Sequence, residues 1–203
     1  MDSFKTLTPL DQDSAIDVMA RAFYRDPLWL YLLPDDTRRA VLMRACYRVF
    51  LTLSIDGGTT YGTGTPLAGL AVWEAPGQPE LRATRRLAWP LLALAFSPFV
   101  WSVARAAPVF QQFGAMRQRY ATAPHYYLST IAVAPEAQGR GLATRLIAPF
   151  LRRAGQEGVG VYTETMTPAN VGLYEHYGFR CMEHYRVPDT DLNIWSFYRA
   201  PEA

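Results

Sequence analysis

The feature that most constrains the fold is a strand, a loop, a helix and a second strand that follow one another in the second half of the chain. Residues 126–133 predict a strand, 141–154 have the apolar spacing of a helix, and 159–165 predict another strand. Consecutive strands joined through a helix run parallel in one sheet, with a right-handed crossover. The sequence therefore predicts a βαβ unit.

The loop that joins the first of these strands to the helix has the character of an anion site. Gly139 and Gly141 let the backbone approach a ligand closely, and free N–H groups of the first helical turn point outward at the positive end of the helix dipole. The loop lacks the Gly-Lys-Ser/Thr ending of a P-loop and the GxGxxG spacing of a dinucleotide fold. It predicts a phosphate-bearing ligand other than ATP or NAD. The alternative is a tight turn in which the glycines serve backbone geometry alone.

A second informative segment follows the βαβ unit. Thr167 and Pro168 predict the start of a short helix, which Gly178 ends. Asn170 and Tyr174 are four residues apart on this helix, so their side chains project from one face.

Together these segments resemble the GNAT superfamily of N-acetyltransferases. Residues 138–143, Gln-Gly-Arg-Gly-Leu-Ala, match that family's Gln/Arg-x-x-Gly-x-Gly/Ala loop for acetyl-CoA. Asn170 with residues 174–179, Tyr-Glu-His-Tyr-Gly-Phe, is similar to its second block. The resemblance is good from about residue 126 onward, where the chain also resembles puromycin N-acetyltransferases. In the first part it is looser and rests on Phe23, Asp26-Pro27, and Val72-Trp73 with Pro76.

The resemblance implies an α+β fold. It predicts a single N-acetyltransferase domain over residues 1–203, with a mixed, mostly antiparallel central sheet, the parallel βαβ unit, and helices on both faces. The acetyl-CoA-binding half would span about 125–199, and the acceptor-binding elements about 20–124. A helical insertion is expected near 80–124.

The resemblance also implies a donor site, with acetyl-CoA as co-substrate. The pyrophosphate would lie on backbone N–H groups of the loop, the pantetheine arm would pair with the end of the first strand, and Asn170 would hydrogen-bond the coenzyme. To admit the arm, the parallel strands would have to splay beside a β-bulge. The residues assigned to acetyl-CoA are Ile131, Ala132, Val133, Gln138, Gly139, Arg140, Gly141, Leu142, Ala143 and Asn170.

In the implied reaction, the acetyl group passes directly from the thioester to a neutral amine, with no covalent enzyme intermediate. Tyr174 would donate a proton to the leaving thiolate, and Glu164, on the second strand of the βαβ unit, would take the proton of the amine. Glu74 and, through water, His125 are alternatives for the base.

The acceptor site is expected in the first half of the chain, where aromatic residues are dense. A stripe of aromatic residues is often core, so packing is the alternative. A cleft lined by them, without an acidic run, predicts a small aromatic or apolar acceptor with one primary amine. A role in detoxification or antibiotic modification is a hypothesis that comes from the resemblance. The candidate lining residues are Phe23, Tyr24, Trp29, Tyr31 and Trp73, with Trp89, Phe96, Phe99 and Trp101 as a further region.

One helix of the first half has a clear pattern. Asp35 and Asp36 predict its start and Gly57-Gly58 its end. Its predicted apolar stripe is Leu42, Cys46, Val49 and Leu53, with Arg38, Arg39, Arg44 and Arg48 largely elsewhere.

Composition argues against several other classes of protein. Twenty basic and eighteen acidic residues leave a net charge of +2, which argues against nonspecific nucleic-acid binding. The two cysteines, Cys46 and Cys181, lack CxxC spacing, so neither a disulfide scaffold nor a metal site is predicted and a cytoplasmic location is expected. Segment Leu87–Ala104 is apolar, but two prolines inside it favour short helices over a membrane span.

Three other functions stay open on the sequence. The acceptor is a peptide or protein amine if the site is an open groove. A noncatalytic acyl-CoA-binding sensor would keep the loop and lose the acid and base. A membrane-associated protein would use Leu87–Ala104. For the small-molecule enzyme we expect a monomer or homodimer without nucleic-acid or membrane partners.

Overall fold

The predicted βαβ unit forms the centre of a seven-stranded sheet. The computed structural model describes residues 4–77 and 100–201. The strands are β1 (Lys5–Thr6), β2 (Thr60–Thr63), β3 (Gly69–Glu74), β4 (His125–Val133), β5 (Gly160–Thr165), β6 (Arg180–Arg186) and β7 (Asn193–Arg199). The α-helices are α1 (Gln12–Ala22), α2 (Pro27–Leu32), α3 (Asp36–Asp56), α4 (Val100–Tyr120), α5 (Leu142–Glu157) and α6 (Val171–His176).

The sheet is mixed and mostly antiparallel. Its strand order is β1-β2-β3-β4-β5-β7-β6. Only β4 and β5 run parallel, and they are connected through α5, whereas the other neighbouring strands are antiparallel. The predicted α+β fold with a parallel βαβ unit is confirmed.

The alternation of β3 shows how the core is divided. Leu70 and Val72 pack with α1 and α3, while Ala71 and Trp73 pack with α5, because successive strand residues point to opposite faces. The face covered by α5 and α6 is called the α5 face here. The opposite face carries α1 and α3, and α4 joins them by packing against Met166, just after β5; it is called the α4 face.

The buried stripe of α3 differs from the predicted one. The residues predicted to be buried are only partly so, and the buried positions lie one or two residues further along. Both rows are apolar, so the periodicity alone does not choose between them. The buried apolar residues of α3 are Met43, Tyr47, Leu51 and Ile55.

Arg39 is the largest departure from the sequence-based prediction, because its side chain points inward and is 3% exposed. Its guanidinium donates to the carbonyl oxygens of Leu33 at 2.7 Å and Pro34 at 3.2 Å, and it pairs with Asp36. The chain leaves α2 here, and its free carbonyl groups give the buried charge its partners. The prediction that Arg39 lies away from the buried side is therefore wrong.

Within the region 80–124, where a helical insertion is expected, the described part forms helix α4. Residues 78–99 and the side chains of residues 100–104 lie outside the described residues, and this applies to Trp89, Phe96, Phe99 and the side chain of Trp101. Within residues 4–77 and 100–201, no helix is long and apolar enough to cross a membrane.

Candidate active site

A gap opens between β4 and β5 halfway along the parallel pair. The strands pair from His125 to Leu128 of β4 and part after the pair formed by Leu128 and Thr163. Beyond this point β4 continues along β3, with a register shift that leaves Ser129 as an extra residue. An extra residue bends and twists its strand locally. The parallel strands therefore splay beside a β-bulge, as the resemblance implies.

The glycine loop lies beyond the open end of β4. Gly139 and Gly141 have φ angles of 74° and 73°, in the left-handed region that favours glycine. Gly141 is the N-cap of α5, and no side chain caps this end of the helix. A Cβ atom built on either glycine would meet nothing within 4 Å. The loop thus presents backbone N–H groups and a helix N-terminus to open space, which suits a phosphate group.

Two predicted donor-site side chains contact the protein itself. Gln138 Nε2 donates to the Val133 carbonyl oxygen at 3.3 Å, which ties the loop to the end of β4. Asn170 Nδ2 donates to Thr165 Oγ1 at 3.1 Å, which ties the start of α6 to the end of β5. Asn170 therefore lies at the edge of the gap.

The other predicted donor residues lie along β4 and the loop. Ile131 packs on the α5 face, and Ala132 is buried on the α4 face. Val133 packs near the loop against a cluster that contains Leu142. Arg140 is exposed. Ala143 is partly buried in the first turn of α5.

Tyr174 reaches the point where β4 and β5 separate, from the α5 face. Its ring packs between Phe179 and Phe197, with centroid distances of 5.7 and 5.2 Å. Burial raises the pKa of Tyr174 to about 12, although an interaction with the Thr163 side chain lowers it. The Thr163 hydroxyl in turn donates to the Leu128 carbonyl oxygen at 2.9 Å. Tyr174 is thus a protonated hydroxyl group at neutral pH, held at the apex of the gap.

Glu164 follows Thr163 on β5 and points to the opposite face. Burial raises the pKa of its carboxyl group to about 7, while Tyr162, Tyr127 and the more distant Arg117 lower it. A carboxyl group with this pKa can exchange a proton near neutral pH. Tyr174 and Glu164 therefore flank the gap from opposite sides of the sheet.

Three neighbouring polar atoms, one of them on Glu164, are buried and lack a hydrogen bond of good geometry among the described residues. Tyr127 and Tyr162 influence the carboxyl group, yet Glu164 Oε1 makes no hydrogen bond of good geometry with any residue that the structure describes. The Tyr162 hydroxyl and Ser196 Oγ are in the same situation. Buried polar atoms are normally satisfied by protein, water or a ligand. This part of the α4 face is therefore suited to receive a polar group.

The alternative bases lie nearby in a network centred on Arg117 of α4. The guanidinium forms an ion pair with Glu74 at 3.1 Å, and its Nε–H donates to His125 Nε2 at 3.1 Å. It also lies 4.0 Å from the centroid of the Tyr127 ring. Glu74 and His125 are thus occupied by Arg117. Neither Arg117 nor Tyr127 was among the sequence-based candidates, because no local pattern connects α4 to β3 and β4.

Four of the predicted acceptor residues are half-buried around α1 and α2. The Trp29 indole donates to the Tyr47 hydroxyl at 2.6 Å, and Phe23 packs beside Tyr47 with a centroid distance of 6.1 Å. Arginine guanidinium groups lie over the other two rings, Arg39 over Tyr24 and Arg105 over Tyr31.

Trp73 has a different place from these four. It is 1% exposed, stacks on Phe150 of α5 at 4.5 Å, and donates its indole N–H to the Leu146 carbonyl oxygen at 3.2 Å. It lies on the α5 face, away from Glu164. The structure assigns Trp73 to the core beneath α5, and we leave it out of the acceptor site.

Asp26 has a buried carboxyl group and was given no role in the site by the sequence-based hypothesis. Its Oδ1 accepts the N–H of Leu28 at 3.0 Å, as the N-cap of α2, and its Oδ2 accepts from the Thr167 hydroxyl at 3.4 Å. Burial raises its pKa. Asp26 thereby joins the aromatic region around α2 to the segment that follows β5.

Comparisons with known proteins agree with this geometry. The model of the Acetyltransferase (GNAT) family matches residues 79–179, half of the chain. An uncharacterised N-acetyltransferase of Schizosaccharomyces pombe is 26% identical over 188 residues, which cover 86% of this chain and 73% of that protein.

Solved structures share the fold. A Corynebacterium glutamicum protein described as histone acetyltransferase HPA2 and related acetyltransferase superposes with a TM-score of 0.68 at 20% identity, covering 100% of this chain and 97% of that chain. A Drosophila melanogaster polyamine N-acetyltransferase, which forms N-acetylagmatine, has a TM-score of 0.64 at 14% identity, with coverages of 98% and 100%. An arylalkylamine N-acetyltransferase of Aedes aegypti has a TM-score of 0.64 at 12% identity, with coverages of 99% and 99%. This chain is an acetyl-transferring enzyme that belongs to the GNAT family.

Proposed function

We propose that this enzyme moves the acetyl group of acetyl-CoA directly to a primary amine of a small aromatic or apolar acceptor. The observation that carries the proposal is the position of Tyr174 and Glu164 on opposite faces of the sheet, at the point where β4 and β5 part. A thioester entering the gap would lie between a proton donor and a proton acceptor.

The donor binds, in this proposal, along the open part of β4. Backbone groups of residues 131–133 pair with the pantetheine arm, and N–H groups of residues 138–143 hold the pyrophosphate. The left-handed φ of Gly139 and Gly141 and the uncapped N-terminus of α5 support this assignment. Asn170 stands at the other edge of the gap, where its amide oxygen would accept a hydrogen bond from the coenzyme.

The chemistry needs one proton to leave the amine and one to reach the sulfur. The amine reacts in its neutral form, and Glu164, as carboxylate, takes the proton that the nitrogen releases on attack, directly or through water. The amine nitrogen bonds to the carbonyl carbon and the C–S bond breaks. Tyr174 gives its proton to the thiolate, and solvent later restores Tyr174 and Glu164 to their starting states. Both substrates are bound together, so proximity supplies much of the acceleration.

The acceptor enters from the α4 face. The half-buried rings of Phe23, Tyr24, Trp29 and Tyr31 support an acceptor with an apolar or aromatic body. The buried Asp26 carboxyl group beside them provides a partner for an amine. Resemblance to puromycin N-acetyltransferases makes puromycin one compound to test, with a detoxifying or antibiotic-modifying role in the cytoplasm as the associated hypothesis.

The test is thiol release from acetyl-CoA across a panel of amines that contains puromycin, arylalkylamines, polyamines, aminoglycosides and a lysine peptide. We expect the fastest turnover with an aromatic amine, and a large loss in Tyr174→Phe and Glu164→Gln while both variants still bind acetyl-CoA. Preference for the peptide would assign the enzyme to protein amines instead. Binding of acetyl-CoA without turnover of any amine would favour an acyl-CoA sensor.

A further inference from the structure

Arg117 connects three elements that surround the gap on the α4 face. From the last turns of α4 it contacts Glu74 at the end of β3, and His125 and the Tyr127 ring at the start of β4. Its side chain is 30% exposed and that of Glu74 is 20% exposed, so the pair is only partly screened by solvent. The guanidinium is thereby held in one place by groups from two strands.

The contact with His125 leaves that ring uncharged. Arg117 Nε–H donates to His125 Nε2, which must then be unprotonated, and the other ring nitrogen lies 2.8 Å from the Ala123 carbonyl oxygen, where it donates as Nδ1–H. Burial lowers the pKa of His125, which agrees with a neutral ring. The charge of the network therefore resides on Arg117 and Glu74.

The network is adjacent to Glu164. Tyr127 is the link, because its ring lies against Arg117 while its hydroxyl interacts with the carboxyl group of Glu164. The groups that influence Glu164 are Tyr162 from its own strand, Tyr127 from β4, Arg117 from α4 and Glu74 from β3, and Glu164 in turn acts on Tyr174 of α6.

We propose that Arg117 is a positioning residue for the base: held by Glu74, His125 and Tyr127, its guanidinium favours the ionised form of Glu164, which accepts the proton of the amine. This inference rests on the proposed function, since it takes Glu164 as the base. Arg117 acts on the carboxyl group through charge and through Tyr127, without contact to the substrate.

The two charged members of the network have opposite effects on Glu164. Arg117 lowers the pKa of the carboxyl group and Glu74 raises it. Loss of Arg117 removes the favourable charge and leaves Glu74 uncompensated, so the pKa of Glu164 rises. Loss of Glu74 removes the unfavourable charge, so the pKa of Glu164 falls. A role of Arg117 in packing alone would not produce shifts of opposite sign.

The experiment compares pH profiles of kcat/KM, with the best acceptor of the panel, in the wild type, Arg117→Gln, Glu74→Gln and Arg117→Lys. We expect the acid limb to move up by about 0.5–1 pH unit in Arg117→Gln and down in Glu74→Gln, with the position largely restored in Arg117→Lys. The control is Arg119→Gln, because Arg119 is two residues away on α4, is 58% exposed and pairs with Glu183; its profile should coincide with that of the wild type.

Failure of this inference is distinguishable from failure of the proposed function. If Glu164→Gln retains the acid limb, Glu164 is not the base and the proposed function loses its proton acceptor. If the limb depends on Glu164 but stays in place in Arg117→Gln, or moves in the same direction in both charge variants, the role of Arg117 is refuted. If Arg117→Gln does not fold, the other two variants test the role of Arg117. A downward shift of the acid limb in Glu74→Gln with an unshifted limb in Arg117→Lys supports it, and any other result refutes it.

Discussion

On the α5 face, the groups around the gap come from one continuous stretch of chain, in which β4, the glycine loop, α5, β5 and α6 follow in order. On the α4 face, the groups come from separate elements: Glu74 from β3, Arg117 from α4, Tyr127 from β4 and Glu164 from β5. In the proposed function, the first side works largely through backbone geometry. The second works through side chains whose charges depend on one another.

This difference explains how the two sides respond to change. A backbone site depends on a few φ angles and on strand pairing, so it tolerates many side chains and shows itself as a short motif. A site made of coupled side chains is sensitive to each partner and leaves no local motif. We therefore expect each substitution on the α5 face to alter either binding or the chemical step, independently of the others. Substitutions on the α4 face should alter the pH dependence of the reaction, and the effect of each should depend on its partners.

The largest effect is expected at Tyr174, the side chain of the α5 face that is proposed to take part in the chemistry. Tyr174→Phe keeps the ring between Phe179 and Phe197 and removes only the hydroxyl. We expect kcat to fall by roughly 100- to 1,000-fold, the range of general-acid contributions. The measurement is steady-state thiol release together with calorimetric binding of acetyl-CoA. Tyr185→Phe, on β6, is the matched control, and an equal loss there would contradict the assignment.

The next prediction concerns how much one buried charge on the α4 face, that of Arg39, contributes to stability. Arg39→Met leaves the carbonyl groups of Leu33 and Pro34 without their donor. We expect a loss of about 2–3 kcal/mol in the free energy of unfolding, measured by urea titration. Arg38→Met removes an exposed neighbour and should change stability by less than about 0.5 kcal/mol. Similar values for both variants would show that burial of Arg39 contributes nothing.

A smaller effect, with a defined sign, follows from Glu164. Its folded pKa of about 7 lies above its ordinary value of 4.5, so the folded state holds a proton that the unfolded state releases between these pH values. Stability due to this group is complete below pH 4.5 and falls as the pH rises to 7. Glu164→Gln should therefore gain on the order of 2 kcal/mol relative to wild type between pH 4.5 and pH 8. Melting curves of wild type and Glu164→Gln across this pH range measure the gain, and the exposed Glu175→Gln is the control. A difference in stability between wild type and Glu164→Gln that does not change with pH would rule out the raised pKa.

The smallest effect compares two glycines. Gly141→Ala forces a φ of 73° on alanine, which costs about 1–2 kcal/mol and should weaken acetyl-CoA binding about tenfold through distortion of the loop. Gly114→Ala lies on the exposed side of α4, where the Cβ meets nothing within 4 Å. It should stabilise the protein by about 0.5–1 kcal/mol. Isothermal titration and thermal melts distinguish the two, and unchanged binding in Gly141→Ala would argue against the loop as the phosphate site.

Prediction from sequence succeeded where the determinants are local. The βαβ unit and the short helix with Tyr174 follow from the apolar spacing and the capping residues within each element. Prediction did not reach Arg117, Tyr127 or the network with Glu74, because their contacts span long separations in sequence. Trp73 and Arg39 show the same limit. Trp73 belongs to the core, and Arg39 is buried although it is charged, and both facts depend on neighbours that are brought together only by packing.

The extra residue at Ser129 has a consequence for how the proposed donor site could be lost. Residues on either side of it pair with consecutive residues of β3, so loss of this one residue would leave every other side chain on its present face and make the ladder regular. A regular β4 would continue to pair with β5, so the gap in which the donor is proposed to bind would close. We therefore expect deletion of the single codon for Ser129 to abolish binding of the donor while the fold is retained, so the donor site depends on the length of β4 as well as on its side chains.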